Sequence, residues 1–196
     1  SVDKGMTSFL LQQQAIPTPK TWMLRDYDQA VSIAEKELQS GHALISKPLF
    51  GSQGEGIRKL EKSTDLLWLT SSRGIYYFQR FVNSLGDGYS DIRVFVINNQ
   101  AIAAMRRRGI SWLNNVARGA QCEQINITPK MADLAIRSVQ ALAMAYAGVD
   151  IMETANDEYI VIEVNSVPAW KGLQTVTQVN IADCLVKDVI LKISDD

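Results

Sequence analysis

The stretch Gly148-Val-Asp-Ile-Met-Glu-Thr-Ala-Asn-Asp-Glu-Tyr-Ile-Val-Ile-Glu-Val-Asn165 constrains the chain most, because it reads as a β-hairpin that sets acid against acid. With Asn156-Asp157 as a two-residue turn, counting back along both arms places Asp150 opposite Glu163. Like charges directly opposed on a sheet are unfavourable and need a counter-charge. The period of two sends Glu163 and Asn165 to one face and Ile160, Ile162 and Val164 to the other. Two carboxylates and an amide oxygen form a hard oxygen set of the kind Mg²⁺ prefers, with coordination left over for phosphates. An arbitrary Asp/Glu pair on a hairpin is more often a solvated polar face, so the remainder of the chain decides.

At 196 residues and 46% hydrophobic, the chain can bury a sizeable core as one domain or two joined lobes. Its net charge of −1 gives no bulk electrostatic case for nucleic acid or membrane binding. Cys122 and Cys184 lack CxxC spacing and His42 is the single histidine, which argues against a zinc site, a disulfide framework and Ser-His-Asp or Cys-His chemistry. No apolar run approaches the roughly 18 residues of a transmembrane helix, and no signal peptide is evident. A reducing cytoplasm is the expected location.

Along the chain, Met6, Phe9, Leu10 and Gln13 give a short helix and Thr21–Leu24 a strand. Tyr27–Ser40, closed by Gly41, is a helix, and His42–Pro48 is a second strand. A short helix is expected over Leu60–Ser72 and a strand over Gly74–Val82. Asp91–Ile97 and Gln100–Arg108 form a hairpin around Asn98-Asn99. Thr128 caps a helix with Pro129 at its first position, expected to run to Gly148, and a closing amphipathic helix spans about Asn180 to Ile193.

Phe50-Gly-Ser-Gln-Gly-Glu-Gly56 places three glycines in six residues, a loop able to present successive N–H groups to an anion. Lys47, on the strand before it, is a point charge placed to meet phosphates. The GKS/T order of a Walker loop is absent. Tyr77, Phe78 and Phe81 offer a flat apolar surface that suits either an adenine or a core. Arg93 and Arg106–Arg108 load one sheet with positive charge, and Gly109–Gly119 is a polar loop of functional rather than structural composition.

Lys4 after an acid, Lys47 before GSQGEG, the QRFV strand, DIR at Asp91–Arg93, the RRR run, the NNVARG loop, and DIM with EVN occur in one order along essentially the whole chain. Together they resemble the ATP-grasp carboxylate–amine ligases, above all the RimK-type α-L-glutamate ligases, which carry a GTQGIGV loop, a QEY strand, a DIR strand, an SNLHRGG loop and EVNASPG. The SVPAWKGLQ tail is similar to the branch that adds glutamate to pterin-type cofactors such as tetrahydromethanopterin. The resemblance implies an α+β ATP-grasp fold: a first lobe over about residues 20–82, and a second over 83–196 with the N-terminal helix, holding nucleotide between antiparallel sheets. It also implies a preceding substrate domain, so the chain is expected to be a fragment.

Carried over residue by residue, the resemblance implies that Lys4, Lys47 and the loop at Ser52, Gln53 and Gly54 hold ATP phosphates. Gln79, Arg80 and Phe81 would take the adenine and Asp91 would sit near the ribose. Asp150, Glu163 and Asn165 would bind two Mg²⁺ ions, or Mn²⁺ in their place. Arg93, Arg108 and Arg118, with Asn115, would face the transferred phosphoryl group and the acyl phosphate. Arg80 stands where the family has an acid. Leu113 stands where it has an arginine and Ala117 where it has a histidine, leaving contacts there lost or supplied by Arg106 or Arg107. The implied activity is ATP- and Mg²⁺-dependent amide formation, adding L-glutamate to a small acid acceptor or, as a lesser alternative, to a protein C-terminus. A homo-oligomer is compatible with the family. The rival from a different class is a non-catalytic ATP-binding regulatory or scaffold module on the same fold.

Overall fold

The structure, a computed structural model, describes residues 3–50, 55–85, 88–113, 119–154 and 158–194. These form two antiparallel sheets with helices packed on them. The smaller sheet joins β1 (Thr21–Leu24), β2 (Leu44–Ser46), β3 (Arg58–Leu60) and β4 (Tyr76–Arg80) in the order β1-β4-β2-β3. Helix α2 (Tyr27–Gln39) covers its outer face through Ala30 and Ala34, which meet Leu44, Leu60 and Phe78. A 3₁₀ turn over Ser63–Trp68 replaces the longer helix expected there. Asp65 holds it by accepting the backbone N–H groups of Glu61 and Lys62.

The larger sheet joins β5 (Tyr89–Ile97), β6 (Gln100–Gly109), β7 (Gln121–Gln124), β8 (Tyr146–Thr154) and β9 (Glu158–Asn165) in the order β7-β6-β5-β8-β9. Asn98 and Asn99 both take positive φ, 47° and 58°, as a tight hairpin between β5 and β6 requires. On one face, Ile92, Val94, Val96, Val149 and Ile151 pack against α1 (Lys4–Gln13) and α3 (Pro129–Ala141). On the other, Phe95, Ala103 and Met105 receive α4 (Lys171–Gln174) and α5 (Ile181–Ser194) through Leu173 and Ile181.

Two further sequence expectations are corrected, the end of α3 and the faces of the acidic hairpin. Helix α3 stops at Ala141 instead of reaching Gly148, because Tyr146–Gly148 pair with Ile97–Phe95 of the central strand. Ala143, at φ 50°, turns the chain between the two elements. Sheet pairing there outweighs the helical propensity of an alanine-rich run. Helix α1 turns Thr7, Ser8 and Leu11 inward and leaves Met6 and Phe9 more than half exposed.

The acidic hairpin reaches its expected facing pair by a different route. Thr154 pairs with Glu158 and Ile151 with Val161, one residue out from the register of a two-residue turn. A bulge at Ile162 then restores the frame, so that Asp150 pairs with Glu163 and Gly148 with Asn165. The bulge also resets the faces: Val161 and Val164 enter the core, while Ile162 lines the cleft beside Glu163. The turn residues Asn156 and Asp157 lie outside the described residues.

Candidate active site

A cleft of about 600 Å³ opens between the two sheets, within the range of small-molecule sites. The small sheet contributes Ile45 and Lys47 from β2 and the segment after it, and Gln79 to Phe81 from the end of β4. The large sheet contributes Asp91, Arg93 and Arg107 from β5 and β6 and Asp150, Met152, Glu163 and Asn165 from β8 and β9. Lys4 enters from the first turn of α1.

Asp150 is the hub of the floor. Arg93 grips its carboxylate through Nε and Nη2, each 2.7 Å from an oxygen, and Arg107 Nη2 approaches at 3.1 Å. Arg107 also donates to both oxygens of Asp91, its partner across β5–β6. Asn165 Nδ2 donates to Asp150 Oδ2 at 3.3 Å. Burial pushes Asp150 upward, but the guanidinium groups of Arg107 and Arg93 outweigh it and hold the carboxyl down at about 2. Asp91 responds oppositely: burial raises it above the usual carboxylate range despite Arg107. No described arginine grips Glu163, and its Oε1 stands 4.0 Å from Lys4 Nζ.

At the other end, Lys47 is buried and donates to Gln79 Oε1 at 2.7 Å, with its ammonium 5.7 Å from the centre of the Tyr77 ring. Burial, and secondarily Lys4, pull its pKa from 10.5 to about 8, against the attraction of Glu163 and Asp150. Ile45, Ile57 and Phe81 on one side, with Met152 and Ile162 on the other, give the cleft an apolar slot. Phe81 is fixed edge-on to Trp112, ring centres 6.3 Å apart, with Lys59 Nζ 3.9 Å from its ring centre.

Of the residues expected at the site, Lys4, Lys47, Gln79, Arg80, Phe81, Asp91, Arg93, Asp150, Glu163 and Asn165 all line this cleft. Arg108 does not. Strand alternation puts it a residue out of phase with Arg107, and it pairs with Glu123 in solvent. Arg107, one of two substitutes offered by the sequence, occupies the floor. Arg106, the other, pairs with Glu153. Arg80 reaches the cleft, yet its Nε donates to the buried Glu37 at 2.7 Å. Ser52, Gln53, Gly54, Asn115 and Arg118 lie outside the described residues. Ile45 and Met152 were missed, although each lies two positions from a predicted site residue, Lys47 and Asp150.

Carboxylate and amide oxygens from Asp150, Glu163 and Asn165 are a hard donor set that fits Mg²⁺, and of the two carboxylates Glu163 is the one that no described arginine holds.

A family model described as the RimK-like ATP-grasp domain matches residues 1–189. Among curated proteins, the tetrahydromethanopterin:alpha-L-glutamate ligase of Methanococcus maripaludis is 35% identical over 96% of this chain and 65% of its own length. Its namesake from Methanocaldococcus jannaschii is 37% identical over 96% of this chain and 66% of its own length. The chain thus spans just under two thirds of these relatives. Among solved structures, the ATP-grasp ligase PsnB complexed with precursor peptide PsnA2 and AMPPNP superposes with a TM-score of 0.72 at 25% identity, covering 97% of this chain and 57% of that one.

Proposed function

The chain belongs to the RimK-like ATP-grasp family, and from that premise we propose that it is an ATP- and Mg²⁺-dependent ligase that adds L-glutamate to an acid acceptor. The observation that carries the reading is the meeting, in one cleft, of Lys4 and Lys47 with the Asp150, Glu163 and Asn165 oxygen set and the guanidinium groups of Arg93 and Arg107. Nucleotide would lie with its adenine in the slot between Phe81 and Met152 and its phosphates toward the two lysines.

In this reading the acceptor carboxylate attacks the γ-phosphorus, giving an acyl phosphate and ADP. The glutamate amine then attacks the acyl carbon and inorganic phosphate leaves. Asp150, Glu163 and Asn165 would hold Mg²⁺, which when bound would supply charge neutralisation for the phosphoryl transfer. Lys47 and Lys4 orient the polyphosphate. Arg93 and Arg107, fixed by Asp150 and Asp91, present positive charge that needs no reorganisation during the reaction. Positioning and electrostatics do the work, which fits a site whose described lining includes no cysteine or histidine.

The acceptor end is formed by Val167, Pro168, Ala169 and Lys171, the segment whose sequence is similar to the pterin-cofactor branch. A pterin-type acid that ends in a carboxylate is the acceptor we favour, as the names of the relatives suggest. The test is ADP release with Mg²⁺-ATP, glutamate and tetrahydromethanopterin, each omitted in turn. ADP formation that requires all three supports the reading, and nucleotide binding without acid- and amine-dependent ADP formation would leave a binding module instead.

A further inference from the structure

Helix α1 buries the wrong stripe for a packing helix: Lys4, Thr7 and Ser8 face inward with Leu11, while Met6 and Phe9 face out. Buried polar groups need partners: Thr7 Oγ1 donates to the Asp3 carbonyl of its own turn, whereas Ser8 and the Lys4 backbone find theirs on the small lobe. Ser8 Oγ and the Tyr77 hydroxyl are 2.8 Å apart, and the same hydroxyl lies 3.5 Å from the Lys4 carbonyl oxygen. The Lys4 N–H donates to the Leu49 carbonyl at 3.3 Å. Gly5 lets the turn press in, since a Cβ there would stand 2.8 Å from Met23 Sδ and 3.1 Å from Leu49 Cδ1. The far end of α1 belongs to the other lobe, where Leu11 and Ile16 join the large-sheet core.

Lys4 therefore has its backbone strapped to one lobe while its ammonium reaches Glu163 on the other. The ring of Tyr77, buried at 2% exposure, lies beneath the second lysine, Lys47. We infer that Tyr77 is a positioning residue for nucleotide: its hydroxyl, through Ser8 and the Lys4 carbonyl, fixes the first turn of α1 so that Lys4 and Lys47 meet the polyphosphate together. Burial pushes the phenol above its ordinary pKa, so it stays a hydroxyl under working conditions. This rests on the nucleotide reading of the cleft.

Titration of Mg²⁺-AMPPNP into the wild type, Tyr77→Phe, Lys4→Ala and the double variant tests it. Phenylalanine keeps the ring and its packing, so folding should persist with a melting temperature close to wild type. Tyr77→Phe is expected to weaken binding about tenfold in the wild-type background and less than about twofold in the Lys4→Ala background, the coupling expected if one residue acts through the other. Equal losses in both backgrounds, or none in either, overturn the inference while the Lys4→Ala effect leaves the nucleotide site standing. No binding by the wild type overturns the nucleotide reading and this inference with it. Ser8→Ala, which removes the other half of the hydroxyl pair, gives the same comparison should Tyr77→Phe fail to fold.

Discussion

Asp150 and Arg107 meet at the centre of the cleft floor, Oδ2 to Nη2 at 3.1 Å, with Asp91 accepting from Nε and Nη2 of the same guanidinium. One arginine thereby ties together β5, β6 and β8, and both carboxylates depend on it for compensation inside the protein. Burial opposes the charge on Arg107, but Asp150 and Asp91 outweigh that and keep it protonated.

Removing Arg107 should therefore damage the fold as well as the site. Arg107→Ala leaves buried carboxylates short of a partner, a loss of about 3–5 kcal/mol, and nucleotide binding should fall with it. Arg108→Ala removes an exposed pair with Glu123 and should stay within about 0.5 kcal/mol. Urea unfolding of both variants checks the contrast. Equal sensitivity of the two would mean that Arg107 does not tie the floor together.

Lys47 predicts a dependence on pH. Its folded pKa of about 8 lies below the ordinary 10.5, so between these values the unfolded chain binds more protons and stability rises with pH. Below about pH 8 the buried ammonium costs on the order of 3 kcal/mol. Lys47→Met should be more stable than wild type at neutral pH and lose that rise. Phosphate binding favours the charged lysine, so wild-type affinity for AMPPNP should fall as pH climbs through about 8. Unfolding and binding measured across that window test both signs, and a flat affinity profile would remove Lys47 from phosphate recognition.

Much of the fold was legible because its signals are local. Thr128-Pro129 marked a helix start and Asn98-Asn99 a hairpin. What escaped depends on partners distant in sequence. Arg107 and Arg108 are adjacent and chemically alike, and only the pairing of β6 with β5 decides which faces Asp91. The inward stripe of α1 is polar because it meets Tyr77, whose sequence position gives no hint of it. The bulge at Ile162 moved that residue into the cleft without disturbing Asp150 and Glu163.

Gly148 carries a steric prediction. It pairs with Asn165 on the hairpin, and a Cβ there would lie 2.7 Å from Pro168 Cβ and 3.5 Å from Arg93 Cδ. A proline ring cannot swing aside as a long side chain can. Gly148→Ala should cost about 1–3 kcal/mol and shift the 166–169 segment, lowering turnover more than nucleotide affinity. Parallel measurements of ADP formation and AMPPNP binding separate the two. Affinity lost in proportion to turnover would place Pro168 at the nucleotide rather than at the acceptor.

Glu163 should separate function from folding more cleanly than Asp150 can. Its side chain is about one-third exposed and its neighbour Lys4 stands at 4.0 Å, a pair too loose and too solvated to contribute more than about 1 kcal/mol. Asp150 is the reverse, since neutralising it takes the carboxylate charge from Arg93 and leaves Arg107 to Asp91. Glu163→Gln keeps the shape of the side chain and removes the charge that Mg²⁺ would need. The variant should melt close to wild type yet lose the Mg²⁺-dependent part of AMPPNP affinity by about a hundredfold or more. Asp150→Asn should lose both stability and binding. Calorimetric titration with and without Mg²⁺ measures the difference, and undiminished Mg²⁺-dependent binding by Glu163→Gln would rule out the acidic hairpin as the metal site.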